Sequence, residues 1–206
     1  MTSYWGPRYW YVLHATLMLY PENPNIITKQ IYKKFMELFV KLIPCPNCKK
    51  HFIELILKFP INFNSKQELE KWAFDIHNTV NKRLSKPKMD MDSYKIKYAN
   101  INHEYIHDFI MYNKTRAYIN QIPYNYLTSL LEILVLTYPC MKCRKSYRSE
   151  YLKSKIPSLY VSKINLHRWM HSYFKVEGKH PKQQSITSIE TNPNIEHKDE
   201  KILQVL

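Results

Sequence analysis

Glycine is almost missing from this chain: there are two in 206 residues. That excludes the glycine-rich loops that cradle phosphates in P-loop and dinucleotide folds, and it argues against a series of tight hairpins. Long apolar runs are missing too. A membrane-spanning helix needs ~18 consecutive apolar residues. The longest candidate, "LLEILVLTYP", is far shorter and carries Glu132. The opening "MTSYWGPRYW" has no basic segment followed by an apolar one, so no secretory leader is read there. The expectation is a soluble protein with no membrane span, made in the cytosol and cytoplasmic in location. Cysteine is scarce as well, at four. In a cytosolic protein a C-x-x-C is more often redox-active or metal-bound than a structural staple.

What is present points to helices. Hydrophobic residues make up 45% of the chain, enough for a sizeable core. Leu, Ile, Phe and Lys recur at spacings of three and four. A first helix is predicted from about Arg8 to Tyr20, with Trp10, Leu13, His14, Leu17 and Met18 on one face. Pro21 and Pro24 end it. Thr28 is read as the cap of a second helix, whose stripe is Phe35, Leu38, Phe39 and Leu42. A third begins at the first C-x-x-C and stops at Pro60. Ser65, with Glu68 three residues on, reads as a capping box opening a fourth that runs to about Leu84. The connector "SKPKMDMDSYKIKY" leaves room for a short fifth. The fold class is all-α. The net charge of +14 would draw the chain to polyanions at low salt. It is spread as single residues on helix faces, and no nucleic-acid motif stands out, so a nucleic-acid partner is not predicted.

The cysteines sit in two related stretches, "LIPCPNCKKHF" and "TYPCMKCRKSY". At an offset of 95 residues the neighbours align as well. Phe35, Leu38 and Phe39 fall on Leu130, Ile133 and Leu134. Pro44, Cys45 and Cys48 fall on Pro139, Cys140 and Cys143. Phe52 falls on Tyr147 and Leu57 on Leu152. After a slip of two, Leu69 and Trp72 meet Leu166 and Trp169. A chance C-x-x-C would not carry its apolar neighbours along, so the chain reads as a duplicated helical unit. The units are residues 1–99 and 100–175, followed by a tail at 176–206 expected from its polar composition to be flexible.

A cysteine pair at a helix start can form and break a disulfide. Unpaired backbone N–H groups there stabilise a thiolate, and Lys49, Lys50 and His51 add positive potential. Thiolate is the species that attacks a disulfide. Zinc sites made from two C-x-x-C pairs usually keep them ~15–20 residues apart, whereas these lie more than ninety apart, so no metal is expected. His77, Asn78, Asn81 and Lys86 crowd one helix and its end. With Trp10 and His14 on a second helix and a C-x-x-C on a third, they read as a planar cofactor site between helices.

These stretches resemble the Erv/ALR family of FAD-linked sulfhydryl oxidases. The resemblance covers roughly residues 5–98. It rests on W-G-x-x-x-W-x-x-L-H, P-C-x-x-C and H-N-x-V-N-x-x-L-x-K-P, in the family's order and spacing. It implies a four-helix bundle plus a short fifth helix enclosing FAD beside the C-x-x-C. It also implies an enzyme passing electrons from dithiols of protein substrates through that disulfide to FAD and oxygen, giving hydrogen peroxide. Cys45 would meet the incoming thiol and Cys48 would lie nearest the flavin. Gly6, Trp10, His14, His77, Asn78, Val80, Asn81, Leu84 and Lys86 would bind the cofactor, with Lys97 and Tyr98 standing where the family often has a basic residue and Trp. The further cysteine often found after the Lys-Pro, and the shuttle C-x-x-C of many tails, are absent.

The second unit departs further. Tyr105 and Phe109 stand at the positions of Trp10 and His14, and "LHRWMHSYFKVEGKHP" lacks the His-Asn-x-x-x-Asn grouping. It is expected to be a degenerate unit without FAD, packed on the first as a pseudo-dimer; a homodimer is a further expectation. Cys140 and Cys143 read as either a second redox relay or a structural disulfide. His167 and His171 read as surface histidines. Compact viral members of the family act in the cytosol, and the Lys, Asn, Ile and Tyr richness fits an AT-rich genome. The expected site of action is then the host cytoplasm or virion. The alternative reading is a non-enzymatic helical adaptor with zinc or disulfide clips and a basic surface for nucleic acid.

Overall fold

The computed structural model describes residues 3–154. Trp169, Leu166, His167, His171 and the tail at 176–206 lie outside them, as does the end of the expected second unit. Among the described residues the regular elements are eight α-helices: α1 (Gly6–Met18), α2 (Ile26–Leu42), α3 (Pro46–Lys58), α4 (Lys66–Arg83), α5 (Met91–Ala99), α6 (His103–Tyr118), α7 (Tyr124–Thr137) and α8 (Met141–Ser154).

Each start has a local cause. Pro7 occupies the first turn of α1, where its missing N–H costs nothing. Helix α2 starts three residues earlier than a cap at Thr28 would place it. Asn25 is its cap, and the side chain accepts the Thr28 N–H at 2.8 Å. Cys45 itself caps α3, with Pro46 following it. Ser65 caps α4 as read from the sequence, its Oγ accepting the Glu68 N–H at 3.3 Å. The connector does carry a fifth helix, capped by Asp90.

Two helix ends matter for the site. Ser85 and Asn120 adopt left-handed backbone angles, φ 53° and 58°. Such residues let the chain turn back so that later N–H groups reach the helix's last carbonyls. Lys86 N–H donates to Asn81 O at 2.8 Å, and Gln121 N–H donates to Arg116 O at 2.8 Å. Glycine usually takes these positions; in a chain almost without it, serine and asparagine do. The first of the two turns aims the Lys86–Asp90 segment back across α4.

Helix α1 is the axis of the packing. It packs against α4, α5 and α6, while α2 packs on α7 and α7 on α8. Val12, Leu13, Ala15 and Leu17 of α1 are fully buried. The burial repeats at the offset positions. Phe35, Leu38 and Phe39 of α2 are buried, and so are Leu130, Ile133 and Leu134 of α7; Phe52 of α3 is matched by Tyr147 of α8. Burying one such side chain contributes roughly 1.5–3 kcal/mol, so the shared pattern reflects where these helices must face. No helix among the described residues is long and apolar enough to cross a membrane.

Candidate functional site

A cavity of about 560 Å³ opens between α1, α3, α4 and the segment that follows α4. Its volume is in the range that holds a small molecule or cofactor. Gly6 and Trp10 come from α1, Cys48 from α3, His77, Val80 and Asn81 from α4, Leu84 and Lys86 from its end, and Lys97 and Tyr98 from α5.

The aromatic wall is flat. Trp10 stacks on His77 with ring centroids 3.9 Å apart and planes 4° from parallel. His14 lies nearly parallel to both, 5.0 Å from His77 and 5.5 Å from Trp10. His14 does not line the cavity. It sits behind it, fully buried, with Nε2 2.8 Å from His77 Nδ1. One of those nitrogens donates and the other accepts, so the pair fixes the tilt of His77. Both rings are held neutral. Burial pushes His14 well below the usual range, with His77 and Lys97 adding to it. Burial, then the charges of Lys97 and Lys86, push His77 down to about 3.

The rest of the lining carries a cluster of cations. Arg83, Lys86, Lys88 and Lys97 reach the cavity with one carboxylate, Asp90, among them. Arg83, Lys88, Met89 and Asp90 were not anticipated. Arg83 is the last residue of α4, and the other three come from the segment after it; helical periodicity says nothing about where a loop folds back. The K-P-K-M-D charge pattern after the helix was the available signal. Trp5, Tyr9, His51 and Phe52 also line the cavity without having been singled out as site residues. Asn78 does not line it. Its amide instead clamps the loop: Nδ2 donates to Met89 O at 3.0 Å, and Oδ1 accepts the Met89 N–H at 2.9 Å.

Cys45 and Cys48 form a disulfide at the start of α3. Cys48 lines the cavity and Cys45 does not. Both are partly exposed. The Cys48 N–H points at Cys45 Sγ, 3.1 Å away, so the helix start directs a donor at that sulfur.

Cys140 and Cys143 form the second disulfide, at the start of α8. Here the sulfurs are enclosed: Cys140 is 6% exposed and Cys143 0%. A ring nitrogen of His103 lies within 4.8 Å of both. Together these three residues offer metal-type ligand atoms, but the two sulfurs are bonded to each other. Phe109, 95 residues after His14, is fully buried.

The Erv1 / Alr family model matches residues 7–99, from the first turn of α1 to the end of α5. A FAD-linked sulfhydryl oxidase of African swine fever virus (isolate Pig/Kenya/KEN-50/1950) is 32% identical over 112 residues, which are 54% of this chain and 91% of the viral protein. The chain belongs to the Erv1/Alr family. The mitochondrial FAD-linked sulfhydryl oxidase ERV1 of Saccharomyces cerevisiae is 36% identical over 85 residues, 41% of this chain and 45% of the yeast protein. A crystal structure of the yeast Erv1 core superposes with a TM-score of 0.45 at 32% identity, covering 48% of this chain and 83% of that one. The family match ends with α5, and every residue lining the cavity lies within the match except Ser3, Trp5 and Gly6 just before it.

Proposed function

We propose that the chain is a FAD-dependent thiol oxidase that makes disulfide bonds in substrate proteins through the Cys45–Cys48 pair. One observation carries this reading: Cys48 lines the same cavity as the flat Trp10–His77 wall and the Lys86 and Lys97 cations, while its disulfide partner Cys45 stands outside it. The donor set fits FAD. A planar aromatic surface suits a ring system, and a cluster of Lys and Arg suits a diphosphate. FAD, when bound, would supply the two-electron acceptor that hands electrons on to oxygen, giving hydrogen peroxide.

The protein's own residues do the thiol chemistry. A substrate thiolate attacks Cys45 Sγ, the Cys45–Cys48 bond breaks, and Cys48 leaves as a thiolate on the cavity side. A second substrate thiolate then attacks the mixed disulfide and releases Cys45, so the substrate gains the disulfide that the enzyme loses. The Cys48 N–H favours negative charge on Cys45 Sγ. Neutral His14 and His77 keep positive charge off the aromatic wall and leave it to Lys86 and Lys97, whose charges help hold the rings neutral. Gly6, Val80, Asn81, Leu84 and Tyr98 shape the cavity, and Asn78 and His14 act on it from behind.

Residues 100–175 form the degenerate unit of a pseudo-dimer, supported by the shared burial pattern and the α1–α6 and α2–α7 packing. Enclosure of Cys140 and Cys143 supports a structural disulfide over a relay. We place the reaction in the cytoplasm, with virion proteins as substrates if the chain is viral; viral relatives matched over nine-tenths of their length support this. The test is oxygen consumption with a model dithiol. Cys48→Ala and Cys45→Ala should each abolish turnover while the protein stays folded. Turnover surviving Cys48→Ala would refute the assignment.

A further inference from the structure

Arg116 is 7% exposed, and among the described residues its guanidinium has no carboxylate partner. It belongs to α6, outside the family-matched segment, yet it points into that segment. Its Nη1 donates to Leu42 O at 2.5 Å and lies 3.1 Å from Asn113 Oδ1 and 3.3 Å from Tyr9 Oη. Tyr9 Oη itself lies 2.9 Å from Leu42 O and 2.8 Å from Asn113 Oδ1. Leu42 is the last residue of α2, three positions before Cys45.

The carbonyls at the end of a helix have no partner within it and carry negative partial charge. Here two cations occupy them. Arg116 takes Leu42 O, and Lys49, one residue past Cys48, donates from Nζ to Lys41 O at 2.7 Å. The short run Ile43–Pro44–Cys45 is therefore held at its base by Arg116 and faced from α3 by Lys49. Arginine stays charged at any ordinary pH, and burial without a counter-charge leaves its field little screened. That field reaches the redox turn: burial, then the Arg116 charge, holds the Lys49 ammonium below the usual lysine range.

We propose that Arg116, supplied by the degenerate C-terminal unit, is a positioning residue for the Cys45–Cys48 centre: it braces the end of α2 and its buried charge favours the reduced, thiolate form of the pair. The proposal rests on the reading of Cys45–Cys48 as the redox-active disulfide. It gives the second unit a part in the chemistry without a cofactor of its own. Thiolates gain from a nearby cation and a disulfide does not, so removing the charge makes the pair harder to reduce.

The experiment is an anaerobic equilibration of the full-length holoprotein against a graded dithiol/disulfide buffer. Differential alkylation and peptide mass read Cys45–Cys48 separately from Cys140–Cys143. Three variants separate charge from bracing: Arg116→Lys keeps charge and a donor, Arg116→Gln keeps a donor alone, and Arg116→Met keeps neither. The expected result is that Lys stays within about twofold of wild type while Gln and Met shift the equilibrium about tenfold toward the disulfide, ~30 mV for a two-electron couple. If Met does not fold, Gln against Lys decides. Gln matching Lys and wild type would overturn the electrostatic role. A wild-type Cys45–Cys48 pair that does not exchange with the buffer would instead remove the underlying redox reading.

Discussion

Replacing Asn78 with alanine tests whether the cavity depends on a clamped loop. The Asn78 side chain makes two hydrogen bonds to the Met89 backbone, at 3.0 and 2.9 Å, in partly buried surroundings. Each is worth ~0.5–1.5 kcal/mol, and alanine leaves both Met89 groups without that partner. A loss of about 2 kcal/mol is expected. For a chain of this size that lowers Tm by about 4–8 °C. The loop it anchors carries Lys86, Lys88, Met89 and Asp90 into the cavity. If loosening the loop costs the bound state ~1.4 kcal/mol, flavin affinity falls about tenfold. Differential scanning fluorimetry gives the first number, and titration of deflavinated protein with FAD gives the second. An unchanged Tm with a large loss of affinity would refute the clamp and make Asn78 a direct ligand contact. No change in either would refute the loop's role.

Three further predictions follow the chemistry of buried groups. Glu132 is buried in α7, and burial lifts its carboxyl to about 7 from the ordinary 4.5, against the pull of Lys34. Between those values the folded state holds a proton that the unfolded chain releases, so stability falls as pH rises through that window, by about 1.4 kcal/mol per unit; Glu132→Gln should raise Tm at pH 8 but not at pH 4, and equal shifts at both would contradict this. His77 runs the other way: below the ordinary 6.5 the unfolded chain takes up a proton that the folded ring refuses down to about 3, so stability falls as pH drops through that range, and His77→Phe should flatten the acid limb of denaturation curves measured from pH 4 to 7. Parallel curves would mean His77 is protonated in the fold. The Cys140→Ser, Cys143→Ser double variant should lower Tm yet keep dithiol oxidase turnover within about twofold, since its sulfurs are enclosed; loss of turnover at unchanged Tm would make the pair a relay.

Much of the first unit was legible because its signals are local. Ser65 and Glu68 three residues apart announce α4, and Pro46 after Cys45 announces α3. The α2 start was displaced because two capping side chains compete within four residues and Asn25, just after Pro24, takes the Thr28 N–H. Gly6, Trp10, His77, Val80, Asn81, Leu84, Lys86, Lys97 and Tyr98 all line the cavity. Asn78 and His14 lie behind it instead, since neighbours on a helix need not share a face: Asn78 turns toward the returning loop and His14 sits a full turn deeper than Trp10. Arg116 was invisible in sequence. On an amphipathic helix a lone arginine looks like a solvated charge, and only the packing of α6 on α1 puts it under the end of α2.

The measurement that bears most directly on the account is an absorption spectrum of the purified chain, followed by anaerobic titration with a dithiol, with zinc quantified on the same sample. The account predicts a flavin band near ~450 nm that bleaches under nitrogen in wild type and persists in Cys48→Ala. A colourless protein carrying zinc on its cysteines would contradict it.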